Sequence, residues 1–362
     1  MDVLRPQLVW IDNRCYRKNT PKDILSRTYE DEELIESDNR ARQIYDDDVC
    51  DGELEFKETA TGFQLKMEVP SAFYKYIVGK NGETKTRLQV ETHTKIHIPK
   101  PNDKQEVIVI DGHEKKGLIS AKTRIDVIID SARQREQFTH FLSIPVTSDE
   151  IILNFDDFKT KVLSKCDGDR GLDSSLFQNP QKLHLTIGTL VLLSEREIQK
   201  AVSLLQTCQT ELIEPILKGE RLEVQVRGLE YMNDDPSAVD VLYAKIEPGE
   251  ACQRLQLLVD RLVDRFTSAD LIQREHDNVR LHVTVMNTLM RKDPSGTSVP
   301  KVQTNSRPGS KLRESFDGSH ILQKFRDFKF GTHHVSSIHL SQRYSTGKDE
   351  YYGRATSLTM PS

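Results

Sequence analysis

The chain has 362 residues, 36% hydrophobic and 30% charged, with a formal net charge of −5. That length suits two or three domains with cores of their own. It carries no apolar run long enough to cross a bilayer as a helix, and Met1–Trp10 lacks the charged-then-apolar layout of a secretory leader, so no membrane partner is expected. Five cysteines, Cys15, Cys50, Cys166, Cys208 and Cys252, are odd in number and lack metal-ligand spacing, as expected of reduced thiols in cytosol or nucleus.

The first twenty residues mix Leu4, Leu8, Val9, Trp10, Ile11 and Tyr16 with Arg5, Arg14, Arg17 and Lys18. Two readings stay open for residues 1–20: a docking arm for a partner, or an arm folded back on its own domain. Residues 21–60 form an acidic linker, expected to lack fixed structure because acidic side chains far outnumber basic ones between Glu30 and Glu58. The remainder is therefore mildly basic, compatible with a nucleic-acid partner.

A first domain is expected over residues 61–137. Phe63 to Val69 alternates as a strand ended by Pro70, and Ser71 starts a short helix through Ile77. Gly79-Lys80-Asn81-Gly82 interrupts, then Thr84 to Glu91 reads as a helix, and Lys95–Ile98 and Val107–Ile110 as strands. A long helix spans Lys116 to Arg135, its stripe formed by Leu118, Ile119, Ile125, Ile128 and Ile129. Paired glycines let backbone amides approach a phosphodiester closely, Lys80 adds charge and Asn81 a polar contact. A lone G-x-x-G is weak, and a helix-turn-helix with a glycine turn would also contain one. Here it sits in a β-α-α-β-β-α order, which resembles the K-homology (KH) domain. The resemblance implies that Ile77, Gly79, Lys80, Asn81 and Gly82, with Lys85 and Arg87 one turn on, hold single-stranded RNA, or single-stranded DNA, over about four nucleotides. The family often has glycine where this chain has His93, so a different turn is expected there.

A second domain is expected over residues 138–362. Phe141–Val146 reads as a strand, Ser148 caps a helix to about Leu163, and Ser194–Cys208 and Gly249–Phe266 are further helices. Glu223–Val226, Val241–Ile246 and Ser336–Arg343 complete the strands, and residues 291–317, rich in Ser, Pro and Gly, form a mobile loop. The signal that matters occurs twice: Leu183-His184-Leu185-Thr186-Ile187 and Leu281-His282-Val283-Thr284-Val285. In a strand, His and Thr two apart share one face while the aliphatics pack behind. Strand, helix, then His/Thr strand recurs, pointing to duplicated lobes about a pseudo-twofold axis.

Two imidazoles facing each other can act as base and acid around a phosphate, with two hydroxyls holding its oxygens. One copy alone would more often be a hydrogen-bonded structural histidine. A third near-copy, Ile338-His339-Leu340-Ser341, either adds His339 and Ser341 to the pocket or is a decoy.

The paired motifs resemble the two-histidine phosphoesterase superfamily, which includes bacterial 2′-5′ RNA ligase-like proteins and cyclic phosphodiesterases. The fold class is then α+β: a KH domain with a three-stranded sheet and three helices, followed by a bilobal two-histidine domain. The resemblance implies catalysis by His184, Thr186, His282 and Thr284 without cofactor or metal. Arg343 and Tyr344, just after the final strand, either hold phosphate and stack a base or are an ordinary strand end. Together with Ser175–Pro180, Tyr231–Pro236 and Arg313–Gly318, the domain order is also similar to a family of subunits of a helicase-containing transcription cointegrator complex linked to alkylation repair. That likeness implies a nuclear protein associated with such a complex, and residues 1–20 are its contact if the docking reading of the arm holds. The competing expectation is a non-catalytic adaptor whose pocket only binds an RNA end. A regulator of duplex DNA is disfavoured, since no long basic recognition helix occurs.

Overall fold

The computed structural model describes residues 8–11, 14–17, 54–100, 106–274, 276–292 and 314–361. They fall into two compact units, Met1–Phe56 and Lys57–Ser362. In the first, β1 (Leu8–Ile11) and β2 (Arg14–Arg17) pair as an antiparallel hairpin with Trp10 opposite Cys15. The rest of the arm, and the acidic stretch up to residue 53, lie outside the described residues.

The KH region has the expected strand and helix order with one correction. Its sheet has four strands, in the order β3 (Phe56–Thr59), β4 (Gly62–Glu68), β6 (Val107–Gly112), β5 (Thr94–His97). The added strand β3 falls at the end of the stretch read as linker. It is an edge strand with three of its four residues exposed, so it shows no apolar alternation. Gly62 makes the β3–β4 turn possible: its φ is 142°, and a Cβ there would lie 2.4 Å from the Gly112 carbonyl oxygen. Helices α1 (Tyr74–Val78), α2 (Glu83–Thr92) and α3 (Lys115–Arg133) cover one face. Ile77 and Leu88 pack there with Leu118, Ile125 and Ile129 of α3 over Ile108 and Ile110, all buried. Helix α2 ends at His93, which takes the left-handed φ of 52° that glycine usually supplies. The different turn expected at His93 is therefore corrected: the backbone makes the glycine turn with a histidine in it.

The two-histidine region is built on one eight-stranded sheet, ordered β12-β9-β10-β11-β8-β7-β13-β14. These strands are β7 (His140–Pro145), β8 (His184–Leu190), β9 (Glu223–Tyr231), β10 (Val241–Ile246), β11 (His282–Asn287), β12 (Lys329–His334), β13 (Ser337–Gln342) and β14 (Arg354–Thr359). The repeat is visible as β7–α4–β8 and β10–α7–β11, where α4 is Asp149–Lys165 and α7 is Glu250–Ser268. The halves meet where β8 and β11 run antiparallel at Leu185 opposite Val283. The local twofold passes through that pair, and both lobes share one sheet. Helix α4 buries Ile151, Phe155, Phe158 and Val162, spaced as one helical stripe. Phe158 then meets Phe177, Phe325, Phe328 and Phe330 edge-on or tilted at 5.2–6.2 Å. Helix α7 contributes Leu255, Leu258, Val259, Leu262, Val263 and Phe266 to the same core.

Helices α5 (Glu195–Cys208), α6 (Glu214–Leu217) and α8 (Ser319–Phe325) complete the domain. Of the loop expected to be mobile over 291–317, residues 293–313 lie outside the described residues, and both ends are pinned. Arg291 meets Asp173 at 3.3 Å, Phe316 is fully buried, and Ser315 bonds Asp240 at 3.0 Å. The last turn of α3 fastens the KH region to the two-histidine region: the Arg133 guanidinium donates to the Val191 carbonyl and the Glu197 carboxylate and lies over the Phe73 ring.

Burial pushes three histidines, His184, His333 and His339, down to about 4. In the unfolded chain such rings titrate near 6.5. Between these values the unfolded state binds protons that the folded state refuses, so stability is whole above about pH 6.5 and is lost as pH falls toward 4. Each of the buried pair His333 and His339 contributes up to about 1.4 kcal/mol per pH unit to that loss. Urea unfolding midpoints measured at pH 7, 6 and 5 are expected to fall steadily, and His333→Phe is expected to flatten the slope.

Candidate functional site

Strand β8 alternates half-buried and buried residues, so His184 and Thr186 face one side while Leu185 and Ile187 enter the core. Strand β11 does the same with His282 and Thr284 outside and Val283 and Val285 inside. Because Leu185 opposes Val283, antiparallel pairing sets His184 across from Thr284 and His282 across from Thr186. All four motif side chains therefore converge on one patch of one sheet face.

Each ring is oriented the same way. His184 Nδ1 lies 2.7 Å from the Lys182 carbonyl oxygen, and His282 Nδ1 lies 2.7 Å from the Arg280 carbonyl oxygen. A carbonyl can only accept, so each Nδ1 carries the proton and each neutral ring has its lone pair on Nε2. The walls are aromatic. His184 stands against Phe141 and Tyr352 with centroids at 5.3 and 5.4 Å, and His282 stands against Tyr243 at 5.3 Å. Burial is the largest influence on both rings and lowers both. His184 is pushed to about 4, opposed by the Lys182 carbonyl and reinforced by His282. His282 is lowered by burial and by the Arg280 cation, against the pull of the Arg280 carbonyl. Tyr243 donates to the Glu230 carboxylate at 2.9 Å, and burial followed by that bond pushes its phenol up to about 12.

Three expectations need correction here. His339 and Ser341 lie on the same sheet face but are covered: His339 is 6% exposed beneath Tyr351, with Nε2 bonded to Ser337 Oγ at 2.9 Å. Ser341 is fully buried, its Oγ 2.9 Å from Ser143 Oγ, which also accepts from the Tyr351 hydroxyl at 3.0 Å. They brace the tyrosine wall and do not line an open pocket. Arg343 and Tyr344 are turned to the segment joining the domains. The Arg343 guanidinium lies 3.9 Å over Phe138, with Tyr344 beside it at 4.3 Å, and it donates to Gln137 and the Phe138 carbonyl. Ile77 is fully buried in the KH core, so it supports the glycine loop from beneath and offers no surface to nucleic acid.

The residues that the motifs did not reveal are Lys182, Arg280, Phe141, Tyr243, Tyr351 and Tyr352. One signal for two of them was present: a basic residue stands two places before each motif histidine, where period two puts its carbonyl within reach of the ring.

The second candidate site is the KH cleft, about 900 Å³, whose lining includes Tyr74, Lys75, Val78, Gly82, Lys85, Thr86, Gln89, Ile98 and Pro99, and also Glu136, 3.7 Å from the Lys75 ammonium. Gly79 and Gly82 have φ of 71° and 81°, and Asn81 between them has 52°. At Gly79 a Cβ would fall 2.1 Å from Thr84 Oγ1, so only glycine fits. Lys80 and Asn81 are exposed at the loop, and Lys85 lines the cleft; Arg87 is exposed but outside the lining set. Lys75 is a lining cation that the spacing argument passed over.

A KH domain followed by a two-histidine, 2′-5′ RNA ligase-like domain is the class that fold and site define. Residues 138–360 match the family described as the AKAP7 2'5' RNA ligase-like domain, and residues 64–127 match the KH domain family. Over 346 residues the chain is 49% identical to activating signal cointegrator 1 complex subunit 1 of Mus musculus, covering 95% of this chain and 96% of the mouse protein. Over 76 residues it is 36% identical to Vigilin of Homo sapiens, covering 21% of this chain and 6% of Vigilin. The structure of E. coli LigT complexed with NADP+ aligns with 63% of this chain and 100% of LigT, at 14% identity and a TM-score of 0.34. The chain belongs to the activating signal cointegrator 1 complex subunit 1 family.

Lys75 and Lys85 face the cleft from two helices, so each is expected to neutralise one backbone phosphate. Lys85→Gln and Lys75→Gln should each weaken single-stranded RNA binding and reduce the slope of log affinity against log salt by about 0.7. Fluorescence anisotropy across a salt series checks this, with the melting temperature as the control for folding.

Proposed function

We propose that the chain is an RNA-binding protein whose second domain cleaves a phosphodiester, at an RNA end or a 2′,3′-cyclic phosphate, by acid–base chemistry on His184 and His282. The observation that supports this reading most is the crossed arrangement: each histidine lies across from the other motif's threonine, with both lone pairs on Nε2. In the step proposed, water or a ribose hydroxyl attacks phosphorus in line. The neutral ring takes the nucleophile's proton at Nε2 as the new P–O bond forms. The protonated ring gives its Nε2 proton to the departing ribose oxygen as the old P–O bond breaks. Thr186 and Thr284 donate hydrogen bonds to the non-bridging oxygens while charge builds on them. His184, the ring more tightly walled by aromatics, is the better candidate for the neutral partner, which leaves His282 to carry the proton.

Among the described residues, no group of three His, Cys, Asp or Glu side chains is arranged to hold a metal ion, and the histidine pair with its hydroxyls supplies every proton the step needs. The KH cleft, with its glycine loop and lysines, would grip the single strand. As the mouse relative's name describes a complex subunit, the proposal extends to membership of such a cointegrator complex in the nucleus, with the N-terminal hairpin as a candidate contact.

The test is hydrolysis of 2′,3′-cyclic nucleotides and short RNAs in the presence of chelator. His184→Ala and His282→Ala should each lower turnover by roughly 10²–10⁴-fold while RNA binding persists. Because both rings titrate below the ordinary histidine value, kcat/KM should be bell-shaped with its maximum below about pH 6.5. No turnover by the unaltered chain while RNA still binds would replace the hydrolase with an RNA-end-binding adaptor.

A further inference from the structure

Lys182 is 2% exposed, an unusual place for an ammonium group. It ends a single 3₁₀ turn, Pro180–Lys182, capped by Asn179, whose Oδ1 accepts from Gln181 N at 3.0 Å. Its backbone carbonyl is the acceptor that sets the His184 ring, at 2.7 Å from Nδ1. Its Nζ reaches the other way, donating to Thr346 Oγ1 at 3.0 Å and to the Ser345 carbonyl at 3.4 Å, and lying 4.9 Å from the Tyr352 ring centroid. Tyr352 in turn stands at 86° to His184 with centroids 5.4 Å apart. One residue thus holds the ring through its main chain and, through its side chain, the 345–352 segment that walls the ring. The segment is a tight loop: Glu350 has a positive φ of 62°, and it closes on itself through Gly347 N to the Tyr351 carbonyl at 2.7 Å and Gly353 N to Ser345 Oγ at 2.9 Å, so the Lys182 contacts tie it as one piece to the strand that carries His184.

The symmetry-related position shows that the main-chain contact alone does not require this burial. Arg280 makes the same 2.7 Å carbonyl bond to His282, yet its guanidinium lies 5.5 Å from the Tyr243 ring centroid and the residue is exposed to solvent. The ammonium at 182 therefore has a task that its counterpart lacks.

We propose that Lys182 is a positioning residue that locks His184 and the tyrosine segment around it into one unit. This rests on the reading of His184 as an acid–base group, but its structural content is separate: without the ammonium, the 345–352 segment loosens and water reaches one side of the ring. The charged and titratable groups facing His184 are His282 from β11 and Tyr351 and Tyr352 from the segment before β14, while Lys182 faces it with its carbonyl and lies behind Tyr352 with its ammonium. Of these, Lys182 is the one that both orients the ring and fixes its cover.

The test is a histidine titration by NMR on the full chain, carried out without substrate. Lys182→Met keeps most of the buried stem and removes the charge. The His184 ring should then titrate higher by on the order of one pH unit, while the buried His333, on β12 and outside the 345–352 segment, keeps its value. Thr346→Val cuts the same contact from the other end and should move His184 in the same direction by less, which keeps the proposal testable should Lys182→Met not fold. An unchanged His184 titration in a folded variant overturns the proposal. So does an equal shift of His333, which would mark general loosening. Absence of hydrolysis by the unaltered chain would count against the proposed function and leave this titration result standing.

Discussion

Everything at the two-histidine centre depends on one backbone register, the antiparallel match of Leu185 with Val283 at the middle of the eight-stranded sheet. Side chains alternate faces along a strand, so a slip of one residue on either side would send a histidine and a threonine into the core and bring aliphatics to the surface. The aliphatics prevent that slip. Leu183, Leu185 and Ile187 from β8 and its approach, with Val283 and Val285 from β11, are buried in the same cluster as the α4 and α7 stripes. The hydrophobic core thus holds the polar constellation in place: burial of the framing residues specifies where the chemical residues stand.

Symmetry explains the likeness of the two half-sites, and departures from symmetry explain why they can play different parts. Both rings are set by the carbonyl two residues upstream, and both lean on tyrosine. Around His184, however, Phe141, Tyr351 and Tyr352 close in and the upstream cation is buried. Around His282 the upstream cation is more open, and the neighbouring tyrosine is tied to Glu230. Identical side chains in unequal surroundings bind protons unequally, which is the condition for one ring to accept a proton while its neighbour donates one. The buried hydroxyls of Ser143, Ser341 and Tyr351 belong to the same design, since they fix the wall that sets the His184 environment.

The elements legible in the sequence were those whose signal is local. Period-two alternation marked β8 and β11 with their faces, the 3.6-residue stripe marked α3, the Ser148 cap and Gly249 marked the starts of α4 and α7, and the paired glycines marked the KH loop. What stayed hidden was non-local or lacked an apolar signature. Strand β3 is a charged edge, β14 is an edge strand with one buried residue, Leu358, and β12 flanks β9 across a long connection. Sequence spacing put His339 and Ser341 on the correct face but could not show that Tyr351 covers them. Nor could it show that Arg343 turns away to Phe138. Ile77 was misread for a related reason: adjacency to a binding loop says nothing about which way a helical residue points. The Lys182 and Arg280 positions were readable in principle, because a carbonyl two residues before a strand histidine is within reach of its own ring.

The KH region is joined to this centre by more than a tether, since Arg133 at the end of α3 engages Phe73, Val191 and Glu197 together. The central claim nonetheless concerns the histidines: two rings brought together by one register serve a single phosphorus. It is tested most directly by titrating chain labelled with ¹⁵N-histidine with a uridine–vanadate complex, which mimics five-coordinate phosphorus, and recording both Nε2 resonances. The account predicts that His184 and His282 respond together along one binding curve, with one proton held between the pair. A response from only one ring, or two curves with different midpoints, would contradict it.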